Sequence, residues 1–190
     1  MQAPEQKHPE IIVFAGPNGS GKTTVARMAK VIEPYINADD IKRSTHCSDL
    51  EAAVQAEAMR ERQVSDMSGF TFETVLSTKR NLELLRRAKD KDFFIRCIYV
   101  LTADVSVNVM RVRSRFAAGG HDVPEGKIRS RYKAALDLLP ALIDVCDILH
   151  IYDNTEEPQR IFKKRKDVYF YWENAFWRKA DIERLTHRKL

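Results

Sequence analysis

The chain has 190 residues, of which 44% are apolar and 31% are charged, so it can bury a core and matches the size of one α/β domain. This composition excludes wholesale disorder and leaves no room for a second large domain. The 32 Lys and Arg residues exceed the 27 Asp and Glu residues by a net charge of +5, which does not by itself indicate nucleic-acid binding.

Signals for export, membrane insertion or metal binding are not apparent in the sequence. No apolar run approaches the ~20 residues that span a bilayer, and the N-terminus lacks a basic-then-apolar signal segment. We therefore expect a cytoplasmic protein with no membrane contact. Cys47, Cys97 and Cys146 lack CxxC or Cys/His spacing, which predicts reduced thiols.

Strand and helix patterns alternate along the chain. A polar arm over residues 1–10 precedes a short apolar strand over residues 11–14. Further strands are predicted over residues 35–37, 70–74, 93–101 and 147–152. Helices are predicted over residues 22–32, 48–67, 80–88, 103–116 and 125–138. This order indicates a single α/β domain, with a mostly parallel sheet of five or six strands and helices on both faces.

The loop after the first strand carries a phosphate-binding motif. Residues 16–23 match G-x-x-x-x-G-K-[ST] and lie between a predicted strand and a predicted helix. Backbone N–H groups of such a loop converge on phosphate oxygens at the positive end of the helix. The motif predicts a P-loop NTPase fold that binds ATP. The expected nucleotide-binding residues are Gly16, Pro17, Asn18, Gly19, Ser20, Gly21, Lys22, Thr23 and Thr24 of this loop, together with Arg113 further along the chain.

Two residues of this loop have specific expected roles. Lys22 is expected to reach the β and γ phosphates and so to act in catalysis. The Thr23 hydroxyl is expected to ligate Mg²⁺. No apolar run ending in Asp-Glu follows the loop, so the pattern of motor-type ATPases is missing and a small kinase is favoured.

Carboxylates and hydroxyls follow the second and third predicted strands. Ligands bind beyond the carboxyl ends of parallel strands, so these side chains should share one edge with the phosphate loop. One of Asp39 and Asp40 is expected to be the base that accepts a hydroxyl proton, and the other to cap the segment that starts at Ile41. The residues expected to bind the acceptor are Asp40, Glu73, Thr74, Ser77 and Arg131.

Arginines surround a loop over residues 117–124. The segment 111–133 consists of two predicted helices joined by this Gly-Gly loop, and we expect it to close over the nucleotide as a lid. Arginine offers planar, permanently charged donors to a transferring phosphoryl group. Residues two apart do not share a helix face, so only two or three can point inward. Arg115 and Arg113 are preferred, then Arg131, while His121 is expected to order the loop.

The C-terminal residues 159–190 are basic and aromatic, with 10 Lys and Arg residues against 4 Asp and Glu residues. Such a mixture can stack bases and neutralise phosphates, which is typical of nucleic-acid binding. The favoured alternative is an edge strand or hairpin followed by a docking helix. Its aromatic residues would then pack on the core, and its lysines would deter edge pairing.

Four ordered motifs resemble the zeta toxin family of P-loop kinases and its short non-toxin relatives. They occupy residues 16–24, 36–41, 72–77 and 115–124. The resemblance implies transfer of the γ-phosphate of ATP to a small-molecule hydroxyl, which in the best known members belongs to UDP-N-acetylglucosamine. It implies Asp39 as the catalytic base, Glu73 as the substrate-side carboxylate and Arg115 as the lid arginine.

Two further functions stay open. The acceptor could instead be a nucleoside or an RNA end, which the basic aromatic tail would favour. The chain could also be a nucleotide-dependent interaction protein, in which hydrolysis only switches a surface. The sequence carries no sign of an antitoxin partner.

Overall fold

The computed structural model describes residues 8–119 and 123–190, so most of the predicted arm, and His121 in the predicted lid loop, lie outside the described residues. The strands are β1 (Glu10–Ala15), β2 (Tyr35–Ile36), β3 (Phe70–Thr74), β4 (Phe94–Leu101), β5 (Ile148–Asp153), β6 (Gln159–Arg165) and β7 (Val168–Tyr171). The helices are α1 (Lys22–Ala26), α2 (Ala38–Thr45), α3 (Asp49–Ser65), α4 (Arg80–Asp90), α5 (Val105–Ala117), α6 (Glu125–Val145) and α7 (Lys179–Thr186).

All seven strands form one sheet in the order β2-β3-β1-β4-β5-β6-β7. The first five strands run parallel, whereas β6 and β7 are antiparallel to their neighbours. The α/β fold is confirmed. The prediction of five or six strands was too low, because the C-terminal residues add a whole hairpin to the sheet.

The two faces of the sheet are covered unequally. On one face, α3, α4, α6 and α7 pack on a continuous core that includes Phe72, Tyr99 and Leu149. On the other face, a small cluster around Ile12 and Phe14 is covered by α1 and the residues that follow it. Within the described part of the chain, α1 reaches β4 near Ile98, and no helix covers this second face over the start of β4 and over β5–β7. We call that area the open face.

Two helix ends differ clearly from the sequence-based prediction. Helix α1 ends at Ala26 rather than at residue 32, because the following residues turn onto β1 and the Ile32 N–H donates to the Thr71 hydroxyl (2.8 Å). Helix α6 continues past the predicted end at residue 138, through Pro140 to Val145. Its last turns bury apolar side chains on the core, which outweighs the proline.

The predicted aspartate cap was wrong. Helix α2 starts at Ala38, and its N-cap is Asn37, whose side chain accepts a hydrogen bond from the Asp39 N–H (2.9 Å). Asp39 and Asp40 therefore lie in the first helical turn with neither carboxylate needed as the cap.

The C-terminal hairpin and helix were predicted correctly. Phe162 and Tyr169 stack on each other against the core, and Ile182 of α7 is fully buried. The Lys164 ammonium is buried and donates to the Ile143 carbonyl (2.6 Å) near the end of α6, where cations stabilise a helix. Other aromatic residues of the hairpin stay exposed, contrary to the expected packing on the core.

None of the described helices is both long enough and apolar enough to cross a membrane.

Candidate active site

The phosphate loop connects β1 to α1 in a conformation that requires glycine. Gly19 has φ 76° and Gly21, the N-cap of α1, has φ 92°, both in the left-handed region. A Cβ atom on Gly19 would lie 2.6 Å from the Asn108 carbonyl oxygen. The loop therefore needs glycine both for its left-handed backbone conformation and for its close packing against α5.

Two asparagines hold the loop from outside the motif. The Asn108 side chain on α5 donates to the Asn18 carbonyl (2.6 Å), and the Asn154 side chain after β5 donates to the Ser20 carbonyl (2.7 Å). Arg111 in turn donates to the Asn154 carbonyl (2.8 Å). Sequence reasoning missed all three contacts. The position of Asn154 at the carboxyl end of a strand was the available signal, whereas nothing local marks Asn108.

We expect the Asn108→Ala variant to bind ATP at least about tenfold more weakly than the wild type. The change removes the donor to the Asn18 carbonyl, which leaves this loop carbonyl without its hydrogen-bond partner and releases the loop from α5. Isothermal titration with ATP measures the affinity, and thermal unfolding shows how much of the variant is folded. An unchanged affinity in folded protein would contradict the clamping role of Asn108.

Lys22 lies partly buried beneath the loop. Its ammonium donates to the carbonyls of Gly16 (2.7 Å) and Pro17 (3.0 Å). Burial lowers the pKa of Lys22 from 10.5 to about 8, Glu73 and Asp39 oppose this shift, and Arg115 adds to it. These three side chains therefore lie within electrostatic range of the ammonium.

The lowered pKa predicts that ATP affinity depends on pH. The free ammonium loses its proton as the pH rises through about 8, whereas bound phosphates favour the charged form. The dissociation constant for ATP should therefore increase above pH 8, with proton uptake on binding. Titration calorimetry between pH 7 and 9.5 tests this, and Lys22→Arg, which stays charged, should show a flatter profile. A constant wild-type affinity over this range would contradict the prediction.

Glu73 links the phosphate loop to β2. One of its carboxylate oxygens accepts from the Thr23 hydroxyl (3.4 Å), and the other accepts a short hydrogen bond from the Tyr35 hydroxyl. Burial, then the Glu73 carboxylate, raises the pKa of Tyr35, so the phenol stays protonated and acts as the donor. These two hydrogen bonds hold Glu73 beside Thr23, whose hydroxyl is expected to ligate Mg²⁺.

The oxygen atoms of Thr23 and Glu73 are suitable ligands for Mg²⁺. Magnesium is commonly held by one or two protein oxygens together with substrate phosphates and water, rather than by a full protein cage. The described residues accordingly hold no cluster of three or more His, Cys, Asp or Glu side chains, while the Thr23 hydroxyl and the Glu73 carboxylate are adjacent.

The neighbouring aspartates differ in their contacts. Asp40 forms an ion pair with Arg43 one turn along α2. Asp39 is exposed, its carboxylate makes no hydrogen bond to the described residues, and its charge acts on Lys22. The geometry thus leaves Asp39 the freer carboxylate of the two.

The remaining predicted residues are less closely tied to the loop. The Thr74 hydroxyl accepts from the Leu76 N–H (2.9 Å) and from Asn81 (2.8 Å), which orders the turn after β3. Ser77 and Arg131 are half-buried and make no hydrogen bond within the described structure. Arg113 pairs with Glu125 of α6 at 2.6 Å.

Sequence comparison finds a distant relative without a known function. No known family profile matches the chain. An uncharacterized protein of Haemophilus influenzae is 26% identical over 127 residues, which cover 64% of this chain and 91% of that protein.

Solved structures share the fold at low sequence identity. A chain of the AvrRxo1-ORF1:AvrRxo1-ORF2 complex with ATP gives a TM-score of 0.73 at 16% identity, with 95% of this chain and 64% of that one covered. A chain of the PezAT toxin–antitoxin system of Streptococcus pneumoniae gives 0.56 at 17% identity, with 85% and 74% covered. The present chain therefore spans less than two thirds of the AvrRxo1 chain. These structures confirm the resemblance to the zeta toxin family of P-loop kinases at the level of the fold.

Proposed function

We propose that this protein is an ATP-dependent kinase that transfers the γ-phosphate to a hydroxyl group of a small molecule. The observation that carries the proposal is the position of Asp39, a carboxylate without a hydrogen-bond partner in the described structure, within electrostatic range of the phosphate-loop lysine Lys22. A phosphate cradle and a free base at one edge of the sheet are the two parts that transfer to an alcohol needs.

Each side chain has a defined task in this proposal. The loop amides and Lys22 bind the β and γ phosphates, and Arg115 donates to the oxygens of the moving phosphoryl group. Asp39 takes the proton of the acceptor hydroxyl as the oxygen attacks phosphorus. Glu73, fixed by Tyr35, orients the acceptor. Mg²⁺, held through Thr23, supplies charge neutralisation on the phosphates when bound.

The acceptor we favour is a nucleotide sugar such as UDP-N-acetylglucosamine. The four zeta-like motifs support this choice, and the fold shared with PezAT is compatible with it. On the same grounds we propose an antitoxin-like partner protein. A nucleoside or an RNA end is the second acceptor class, and switching by hydrolysis alone is the non-enzymatic alternative.

An acceptor screen tests the proposal. The protein is incubated with ATP and Mg²⁺, and ADP release is followed with nucleotide sugars, nucleosides and RNA of defined ends, with Lys22→Met as the inactive control. We expect a nucleotide sugar to stimulate ADP release. If only RNA ends or nucleosides stimulated ADP release, the acceptor would belong to that class rather than to the nucleotide sugars. If no hydroxyl compound stimulated ADP release, a hydrolytic switch would be favoured.

A further inference from the structure

The open face differs from an ordinary buried sheet surface. Along β4 and β5 the side chains alternate between full burial under the helices and partial exposure on the open face. Ile95 and Leu149 are fully buried, whereas Arg96 and His150 on the other side are half-buried, although both strands are central in the sheet. A central strand this exposed on one side is available to a binding partner.

Aromatic rings lie on three of the four strands of the open face, β4, β5 and β7. Pairing register and alternation place Phe94 on β4, His150 and Tyr152 on β5, and Phe170 on β7 on this side, with Trp172 just after β7. Phe170 is 45% exposed and Trp172 is 39% exposed. Exposed rings on one face of a sheet can form a platform on which two or three bases stack.

Cations lie between these rings. Arg160 stacks on Trp172 with its guanidinium 4.3 Å from the ring centre, and the Lys163 ammonium lies 5.7 Å from that of Phe170. Arg96 and Arg165 belong to the same face by register. No side chain that β4–β7 direct to this face is acidic within the described residues, and the adjacent Glu10 of β1 is already paired with Arg96.

The charge of this face affects His150 at its centre. Burial and the nearby charges of Arg160, Lys163 and Arg96 lower the pKa of His150 to about 4, so its imidazole is neutral at physiological pH. A neutral imidazole is both a donor and an acceptor, as is the hydroxyl of the adjacent Tyr152. These groups match the 2′-hydroxyl, which is also a donor and an acceptor and which distinguishes RNA from DNA.

We propose that the open face binds single-stranded RNA. Bases would stack on Phe170, Trp172 and Tyr152, and the cations of β6 would neutralise the backbone phosphates. The face lies on the β4–β7 side of the phosphate loop, whereas Asp39 and Glu73 follow β2 and β3 on the other side. RNA bound here is therefore a ligand separate from the phosphate acceptor, and the proposal stands independently of the kinase chemistry.

The hairpin provides a matched pair of variants. Lys163→Gln with Phe170→Ala removes one cation and its neighbouring ring from the open face. Lys179→Gln with Tyr171→Ala removes a similar pair from the opposite side of β7, where the ammonium lies 5.4 Å from the ring centre. Arg165→Glu, at an exposed position on the open face, changes charge with little risk to folding.

Fluorescence anisotropy of the full chain with labelled single-stranded oligouridine tests the proposal. We expect binding that weakens with salt, a loss of about tenfold or more in the Lys163/Phe170 variant and in Arg165→Glu, and a change within about twofold in the Lys179/Tyr171 variant. The salt slope should fall by about 0.7 for each cation removed. In NMR titrations RNA should raise the pKa of His150, because phosphates offset its cationic neighbours.

Four outcomes would overturn the proposal. They are equal losses in the two double variants, equal affinity for oligothymidine of the same length, equal affinity for polyglutamate, and self-association that is lost in Arg165→Glu without any RNA binding. The second outcome would reject the choice of RNA over DNA, the third would indicate an acidic protein partner, and the fourth a second copy of this chain.

Discussion

Replacing Asp39 with Asn is expected to lower the rate of phosphoryl transfer by about 10²- to 10⁴-fold, the usual contribution of a positioned general base. Asparagine keeps the size of the side chain but cannot accept the proton of the attacking hydroxyl. ATP affinity should change little, because the loop amides and Lys22 hold the phosphates. Single-turnover rates and ATP titrations separate these two effects.

The adjacent Asp40 offers the matched comparison. Its carboxylate is paired with Arg43, so Asp40→Asn should raise KM for the acceptor and leave kcat within about tenfold of the wild type. Since both residues lie in the first turn of α2, their substitutions should disturb the helix similarly. A larger loss of kcat in Asp40→Asn than in Asp39→Asn would assign the base to Asp40.

Replacing Arg115 with Ala is expected to lower kcat by about 10²- to 10³-fold. Arg115 lowers the pKa of the partly buried Lys22, so the two cations repel each other at a cost that a bound polyphosphate would remove. In the variant, Lys22 should also lose its proton at higher pH, and the fall in ATP affinity should begin at higher pH than in the wild type.

Arg129 provides the control for this prediction. It is exposed and pairs with Glu125 within α6, four residues away. Arg129→Ala should therefore keep both the transfer rate and the pH profile of ATP binding close to the wild type. If Arg115→Ala and Arg129→Ala lowered the transfer rate equally, the loss would come from shortening any arginine side chain in residues 111–133. That result would contradict a specific role for Arg115.

The phosphate site was largely predictable because its signals are local. Residues 16–23 encode their own turn, and the strand ends that carry Asp39 and Glu73 follow from the order of strands along the chain. The contacts of Asn108 and Asn154 with the loop were not predictable, since they join residues 90 and 134 positions apart. The choice between the two aspartates also needed the structure, because it depends on the pairing of Asp40 with Arg43.

The unequal covering of the sheet was harder to predict. Arg96 and His150 alternate with apolar residues in β4 and β5, which is a pattern of one-sided burial. The alternation of helices and strands predicted helices on both faces, which is confirmed, but it did not predict how unequally the helices are distributed. The distribution of helices between the faces depends on where each connection crosses the sheet, and no single segment of the sequence specifies that crossing.

The central claim is that the γ-phosphate leaves ATP for a hydroxyl oxygen. The most direct test follows [γ-³²P]ATP through one turnover with the acceptor identified in the screen, and compares labelled ester with labelled inorganic phosphate. We predict one equivalent of labelled ester for each ADP formed, with almost no free phosphate, and loss of the ester in Asp39→Asn. Free phosphate equal to ADP, with no labelled ester, would contradict the proposed kinase.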